Sequence, residues 1–225
     1  MRSILTLITF LVFSLSIFGQ ETPGGMVKYT PEFRFHDGIY ANFNMVKQNF
    51  PISKSRIVTD VGLNDRDFYE QVTEKKKIIF YDDNGVQQEL KSDNIWGYAR
   101  NGVLYVNLGN GFHRISFVGS ICHFVATITT YNQGYYDPYY SPGYSNRYYR
   151  SPGNNSASTE LRQYLIDFDT GKLLDFEVAS VEVLLMKDPA LYDEYISLRR
   201  KKKKQFKFVY IRKYNEAHPL YFPAH

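Results

Sequence analysis

From Lys75 onward, apolar and polar residues alternate in short runs separated by Asn, Asp and Gly, the spacing of strands joined by tight turns. KIIFYDDNGVQQEL places Asp83-Asn84-Gly85 between two such runs, and Asn and Gly tolerate the positive φ that hairpin turns need. IWGYARNGVLYVN repeats the device with Asn101-Gly102. A turn there pairs Arg100 with Val103, Tyr98 with Tyr105 and Trp96 with Asn107. Trp96, Tyr98, Val103 and Tyr105 then share one face; Ile95, Gly97, Ala99, Leu104 and Val106 share the other. Both faces are apolar, which predicts a central pair covered on two sides. NLGNG turns the chain into FHRISF, and VGS leads into ICHFVATIT, so the pattern is an antiparallel meander. Strands are expected to resume over LRQYLIDFDTGKLLDFEVASVEVLL, with Asp169-Thr170-Gly171 as a turn.

Helical spacing is confined to a few places. Asn42 is a candidate cap for a short helix carrying Phe43, Val46 and Phe50 on one side, stopped by Pro51. Ser53 to Thr73 reads as strand followed by a helical turn around DRDFYEQV, and Glu21 to Phe33 as an irregular lead-in. Near the C-terminus Asp188 caps, Pro189 takes the first helical position, and Leu191, Tyr195 and Leu198 form an apolar stripe. The pattern leaves open whether one helix continues to Tyr214 or breaks near Gln205 into a strand KFVYI; His218-Pro219 ends it either way. The cations beyond Arg199 are expected toward the helix C-terminus, where the dipole favours them. The fold class is therefore α+β: a mainly antiparallel, meander- or sandwich-like sheet with a C-terminal helix. Residues 20–225 are expected as one domain, with an insertion at 131–158 and a basic helical segment at 188–216.

The first residues change where this domain is expected to act. Arg2 precedes an apolar run from Ile4 to Phe18, about fifteen residues, and Gly19 follows. That is the form of a cleaved secretory signal over 1–19, shorter than the ~20 residues that span a bilayer. No cysteine near its end could take an acyl anchor, and no later stretch is apolar enough to cross a membrane. Cys122 is the only cysteine, so the exported chain holds together by its core, not by an internal disulfide. The full sequence has 37 Phe and Tyr residues, all but three of them beyond residue 19, ample apolar area for that.

The net charge of +4 conceals a division. RRKKKKQFKFVYIRK, residues 199 to 213, holds nine Lys/Arg and no acid; outside it and the signal, seventeen Lys/Arg face twenty-three Asp/Glu. Arg199, Arg200, Lys201, Lys202, Lys203 and Lys204 are therefore candidate contacts for an anionic surface. Export removes the protein from nucleic acid, leaving anionic lipid, acidic polysaccharide or another envelope protein as the partner classes. The bland counterpart is a solvated helix face.

A second candidate lies in the insertion. Eight of the twenty tyrosines fall between Tyr131 and Tyr149, spaced by Gly, Pro, Asn and Ser. Tyr135, Tyr136, Tyr139, Tyr140, Tyr148 and Tyr149 could stack on sugars or contact a protein, alone or with Trp96. The competing reading is a low-complexity excursion, disordered in isolation.

Catalytic motifs are missing. Thr170-Gly171-Lys172 lacks the upstream glycine of a P-loop, DDNG lacks the ligand alternation of an EF-hand, and no HExxH, CxxC or GxSxG occurs. His113 and His123 lie on strands expected to face each other, with Cys122 nearby, but adjacent Cys122 and His123 point to opposite faces and no third zinc ligand is evident. The pairs Asp82/Asp83 and Asp167/Asp169 sit at hairpin ends, where Asp serves the backbone. No cofactor is implied, and a hydrolase-type site could only be assembled from these distant residues.

Several stretches resemble uncharacterised exported protein families of Bacteroidota: the signal ending FGQ, DGIYANF, YDDNGVQQEL followed by IWGYARNGVLY, and IRKYNEAHPLYFP. The resemblance implies an envelope location, whether periplasmic, outer-membrane-associated or extracellular, and transfers no site residues. The expectation is a non-enzymatic exported or envelope protein that meets an anionic surface through its basic C-terminal segment. The alternative is a glycan- or protein-binding module using the tyrosines.

Overall fold

The computed structural model describes residues 25–109, 111–131 and 157–224. Seven antiparallel strands form the main sheet: β2 (Gly38–Tyr40), β6 (Gly97–Arg100), β7 (Val103–Leu108), β8 (Gly111–Phe117), β9 (Ile121–Tyr131), β10 (Ala157–Asp167) and β11 (Lys172–Asp175). Their spatial order is β11-β10-β9-β8-β7-β6-β2, so the strands from β6 to β11 each lie beside their neighbours in sequence, as a meander requires. A smaller sheet joins β3 (Ile57–Val58), β4 (Lys77–Tyr81) and β5 (Gln87–Lys91), and β1 (Met26–Lys28) pairs with β12 (Tyr221–Pro223). The helices are α1 (Phe43–Lys47), α2 (Phe68–Glu74), α3 (Val178–Leu185), α4 (Pro189–Ile196) and α5 (Arg200–Ala217).

Turn chemistry sets the register. Asn101 and Gly102 both adopt positive φ, 53° and 72°, and join Arg100 to Val103 and Tyr98 to Tyr105. The Asp37 carboxylate clamps this turn, accepting from the amides of Asn101 and Gly102 at 2.9 Å each. In the β4–β5 turn the Asp82 carboxylate accepts from the amides of Asn84 and Val86 at 2.9 Å.

The sheet is curled and covered on both faces. On one face Ala99, Leu104, Val106, Ile115, Cys122, Phe124, Ala126 and Ile166 meet Tyr40, Phe35 and Phe222 in a single cluster. Phe33 stacks on Phe222 of β12 at 4.7 Å, and β12, paired with β1, covers that layer. The curl brings Phe43 of α1, beside one edge strand, against Phe168 and Gly171 at the turn beside the other. On the opposite face Tyr98 and Ile95 pack with Phe68, Tyr69 and Val72 of α2 and Ile78 of β4. Further along that face Ile121 and Leu165 pack with Val181, Leu184 and Leu185 of α3, Tyr195 of α4 and Tyr210, Ile211 and Tyr214 of α5.

Four expectations give way here. Val178–Leu185 is helix, not strand: Val181, Leu184 and Leu185 recur at helical spacing and bury together, overriding the β-preference of its valines. The helix predicted from Asp188 breaks at Ser197–Arg199, so 206–211 is helical and the interruption comes eight residues before Gln205. Helix α1 ends at Lys47; Asn49 takes φ 49°, and Phe50 is 47 % exposed instead of completing an apolar side. Ile95 and Trp96 exchange faces relative to simple alternation, because ladder pairing begins only at Gly97. Before it, the Trp96 amide is shared between the carbonyls of Tyr40 and Ala41. The two-sided covering of the Tyr98–Tyr105 hairpin and the Asp188 cap, whose side chain accepts from the Leu191 amide at 3.1 Å, are as read from the sequence.

Candidate functional site

The break after α4 decides where the basic run lies. Ser197 and Leu198 donate back to Asp193 and Tyr195, and Arg199 then adopts extended backbone as the N-cap of α5 without a side-chain cap. Arg200 to Lys204 therefore open the helix instead of closing it. The first turn of α5 contains no acid and its last turn no base. Cations at a helix N-terminus oppose the dipole, costing roughly 0.3–1 kcal/mol each at exposed positions. The expected placement at the C-terminal end is thus reversed.

The six consecutive cations are not equivalent. Lys203 turns inward: its Nζ lies 2.8 Å from Glu182 Oε1 of α3, over the Tyr195 ring, and its carbonyl accepts from the Tyr195 hydroxyl. Lys207 is likewise engaged, donating to the Phe176 carbonyl with its amine 3.8 Å from the centre of that ring; burial lowers its pKa. Lys213 pairs with Glu194 at 2.7 Å. Arg199, Arg200, Lys201, Lys202 and Lys204 are exposed, and their side chains make no ion pair or hydrogen bond among the described residues. These five form the uncompensated basic surface. Periodicity could have singled out Lys203 and Lys207, one helical turn apart and on the side of Tyr210 and Tyr214, once the helix start was known.

Tyr135, Tyr136, Tyr139, Tyr140, Tyr148 and Tyr149 lie outside the described residues, as do residues 1–19. The strands that flank the insertion pair along eleven residues, from Ile121↔Asp167 to Tyr131↔Ala157. Trp96 is half-buried against Phe43, 5.6 Å between ring centres, in a core role.

The remaining chemical candidates are dispersed or structurally engaged. His113 lies by Phe124 on one face of the sheet, whereas His123 meets Phe176 and Phe208 on the other, so the two do not approach across their strands. Burial lowers the His123 pKa, favouring a neutral ring beside Gln163 at 3.0 Å. Burial drives the Cys122 thiol up to about 12, and it donates to the Gly119 carbonyl at 3.2 Å, an inert setting for a nucleophile. Asp83 pairs with Arg56 at 2.7 Å.

One association was not visible in sequence. Buried Asp167 accepts from Lys187 Nζ at 2.9 and 3.0 Å and from Thr170 Oγ1 at 2.8 Å; Lys187 also reaches Asp169 at 3.2 Å. This cluster borders a cleft of about 460 Å³ shared with Lys47, Ser120 and Tyr214. Burial pulls the Lys187 pKa down, but the hydrogen bonds to the two carboxylates outweigh it and leave the amine raised and protonated. A protonated lysine held by two carboxylates locks a turn; it is neither base nor nucleophile at neutral pH. Among the described residues no group of three His, Cys, Asp or Glu side chains could hold a metal ion. No helix among them is long and apolar enough to cross a membrane. No family model, curated protein or solved structure matches the chain.

Proposed function

We propose that this chain is a non-enzymatic exported protein of the cell envelope that associates with an anionic surface through Arg199, Arg200, Lys201, Lys202 and Lys204. The observation that carries the reading is their placement: five exposed cations without an ion pair among the described residues, clustered at the start of α5, where the dipole opposes those of its first turn. Such an arrangement weakens the isolated fold, and an anionic partner relieves both the dipole and the mutual repulsion. The signal-like N-terminus and the resemblance to exported Bacteroidota families support an envelope location; the side (periplasmic, outer-membrane-associated or extracellular) follows from where the partner lies.

Near an anionic membrane each Lys or Arg contributes on the order of 1 kcal/mol, so five give about 5 kcal/mol. That corresponds to a dissociation constant somewhat below a millimolar: a reversible, salt-sensitive attachment. Fractionation of the host with a high-salt wash tests it. The protein is expected in the envelope pellet and released by salt, and Lys201→Gln/Lys202→Gln/Lys204→Gln should move it to the soluble fraction. A protein that is soluble from the start, or a variant retained like the wild type, contradicts the reading.

A further inference from the structure

Helix α5 carries more than charge on its outer side. Phe206 is 38 % exposed and Val209 47 % exposed, and they lie three residues apart on one helical face. Lys202 stands one turn before Phe206, and Arg212 three residues beyond Val209, so two exposed cations bracket the apolar pair along the helix. The core-facing side of α5 is already supplied by Tyr210, Ile211 and Tyr214. Phe206 and Val209 thus lie outside that buried set, and they share the outer side of the helix with Lys202 and Arg212.

We infer that the anionic surface is a lipid bilayer, met by α5 lying in the interface with Phe206 and Val209 inserted between acidic head groups. This rests on the electrostatic reading above and adds the identity of the surface. A hydrated polysaccharide satisfies the ammonium and guanidinium groups but offers Val209 nothing apolar. A membrane interface takes both kinds of side chain at once, cations at the phosphates and apolar groups below them. Charge alone gives weak attachment, and shallow insertion of two apolar side chains strengthens it without a spanning helix.

The test compares two surfaces with two variants of the purified protein. Binding is measured by sedimentation with phosphatidylglycerol–phosphatidylcholine vesicles and with phosphatidylcholine vesicles, and by retention on immobilised polygalacturonate. The wild type is expected to bind the anionic vesicles and not the neutral ones. Phe206→Ser/Val209→Ser, both solvent-facing changes, should weaken vesicle binding about tenfold or more while leaving polygalacturonate retention unchanged. Lys201→Gln/Lys202→Gln should weaken both. An apolar-pair variant that binds vesicles like the wild type overturns the inference. So does a wild type retained by polygalacturonate but not by vesicles; that outcome leaves the electrostatic reading standing with a polysaccharide as partner. Binding to neither surface removes both.

Discussion

Lys203 Nζ lies 2.8 Å from Glu182 Oε1, joining α5 to α3, whereas the side chains of Lys202 and Lys204 on either side of it face solvent. The pair is partly buried, with side-chain exposures of 17 % and 30 %, so it is worth more than a surface ion pair but remains screened. Lys203→Gln is expected to cost about 1 kcal/mol, a fall of roughly 2–4 °C in Tm for a domain of this size, and to leave envelope retention intact. Lys202→Gln should do the reverse, lowering retention without lowering Tm. Thermal unfolding and salt-wash fractionation of the two single variants distinguish these roles; equal effects would show that the run acts as an undifferentiated charge cloud.

One side-chain amide joins α5 to the sheet by two hydrogen bonds. Asn215 Oδ1 accepts from the Ile121 amide at 2.7 Å while its Nδ2 donates to the Ile121 carbonyl at 2.8 Å. Gly119 lies so close that a Cβ there would meet Asn215 Nδ2 at 2.3 Å. Asn215→Ala leaves a backbone donor and acceptor without their partners and is expected to cost about 2–3 kcal/mol. Gly119→Ala should also destabilise, by displacing Asn215. Urea denaturation checks both, and an unchanged midpoint for Asn215→Ala would remove this contact from the account.

Tyr69 is fully buried, stacked on Tyr98 at 5.1 Å, and its hydroxyl has no hydrogen-bond partner among the described residues. Burial raises its pKa. An unsatisfied buried hydroxyl costs about 1–3 kcal/mol, so Tyr69→Phe should be neutral or stabilising. A clear drop in Tm would mean the hydroxyl has a partner in solution, such as an ordered water.

Buried phenols and the thiol make the fold sensitive to alkali. Burial pushes Cys122 from 9.0 to about 12, and burial first of all pushes Tyr195 and Tyr210 from 10.0 to about 12. In each case the folded state favours the protonated form. The stabilisation is complete below pH 9 and is lost as pH rises toward 12. Circular dichroism should show unfolding developing within that window. Native protein at pH 8 should resist alkylation of Cys122 until urea unfolds it; prompt labelling would show that the thiol is accessible.

Local chemistry was legible in the chain and long-range pairing was not. Asn101-Gly102 fixed its hairpin register because the turn demands those residue types, and Asp188-Pro189 marked a helix start for the same reason. The helix of α3 was masked by Val178, Val181 and Val183, since its stabilisation comes from the helical neighbours it packs against. No Gly or Pro marks the interruption at Ser197–Arg199, so the sequence pattern places the run at a helix C-terminus, whereas it opens α5 and the dipole interaction takes the opposite sign. Lys187 lies eighteen residues or more from the aspartates it holds, a distance over which no spacing rule operates. His113 and His123 separate because a register shift between Ile115 and Phe117 and the strand parity put them on opposite faces.

The most direct test pairs stability with attachment in one variant. Lys201→Glu/Lys202→Glu replaces dipole-opposed cations with dipole-favoured carboxylates at exposed positions. The account predicts a Tm raised by a few degrees, from about 1–2 kcal/mol of added stability, together with loss of the protein from the envelope pellet. An unchanged or lowered Tm with wild-type retention would contradict it, and the basic run would then be a solvated helix face.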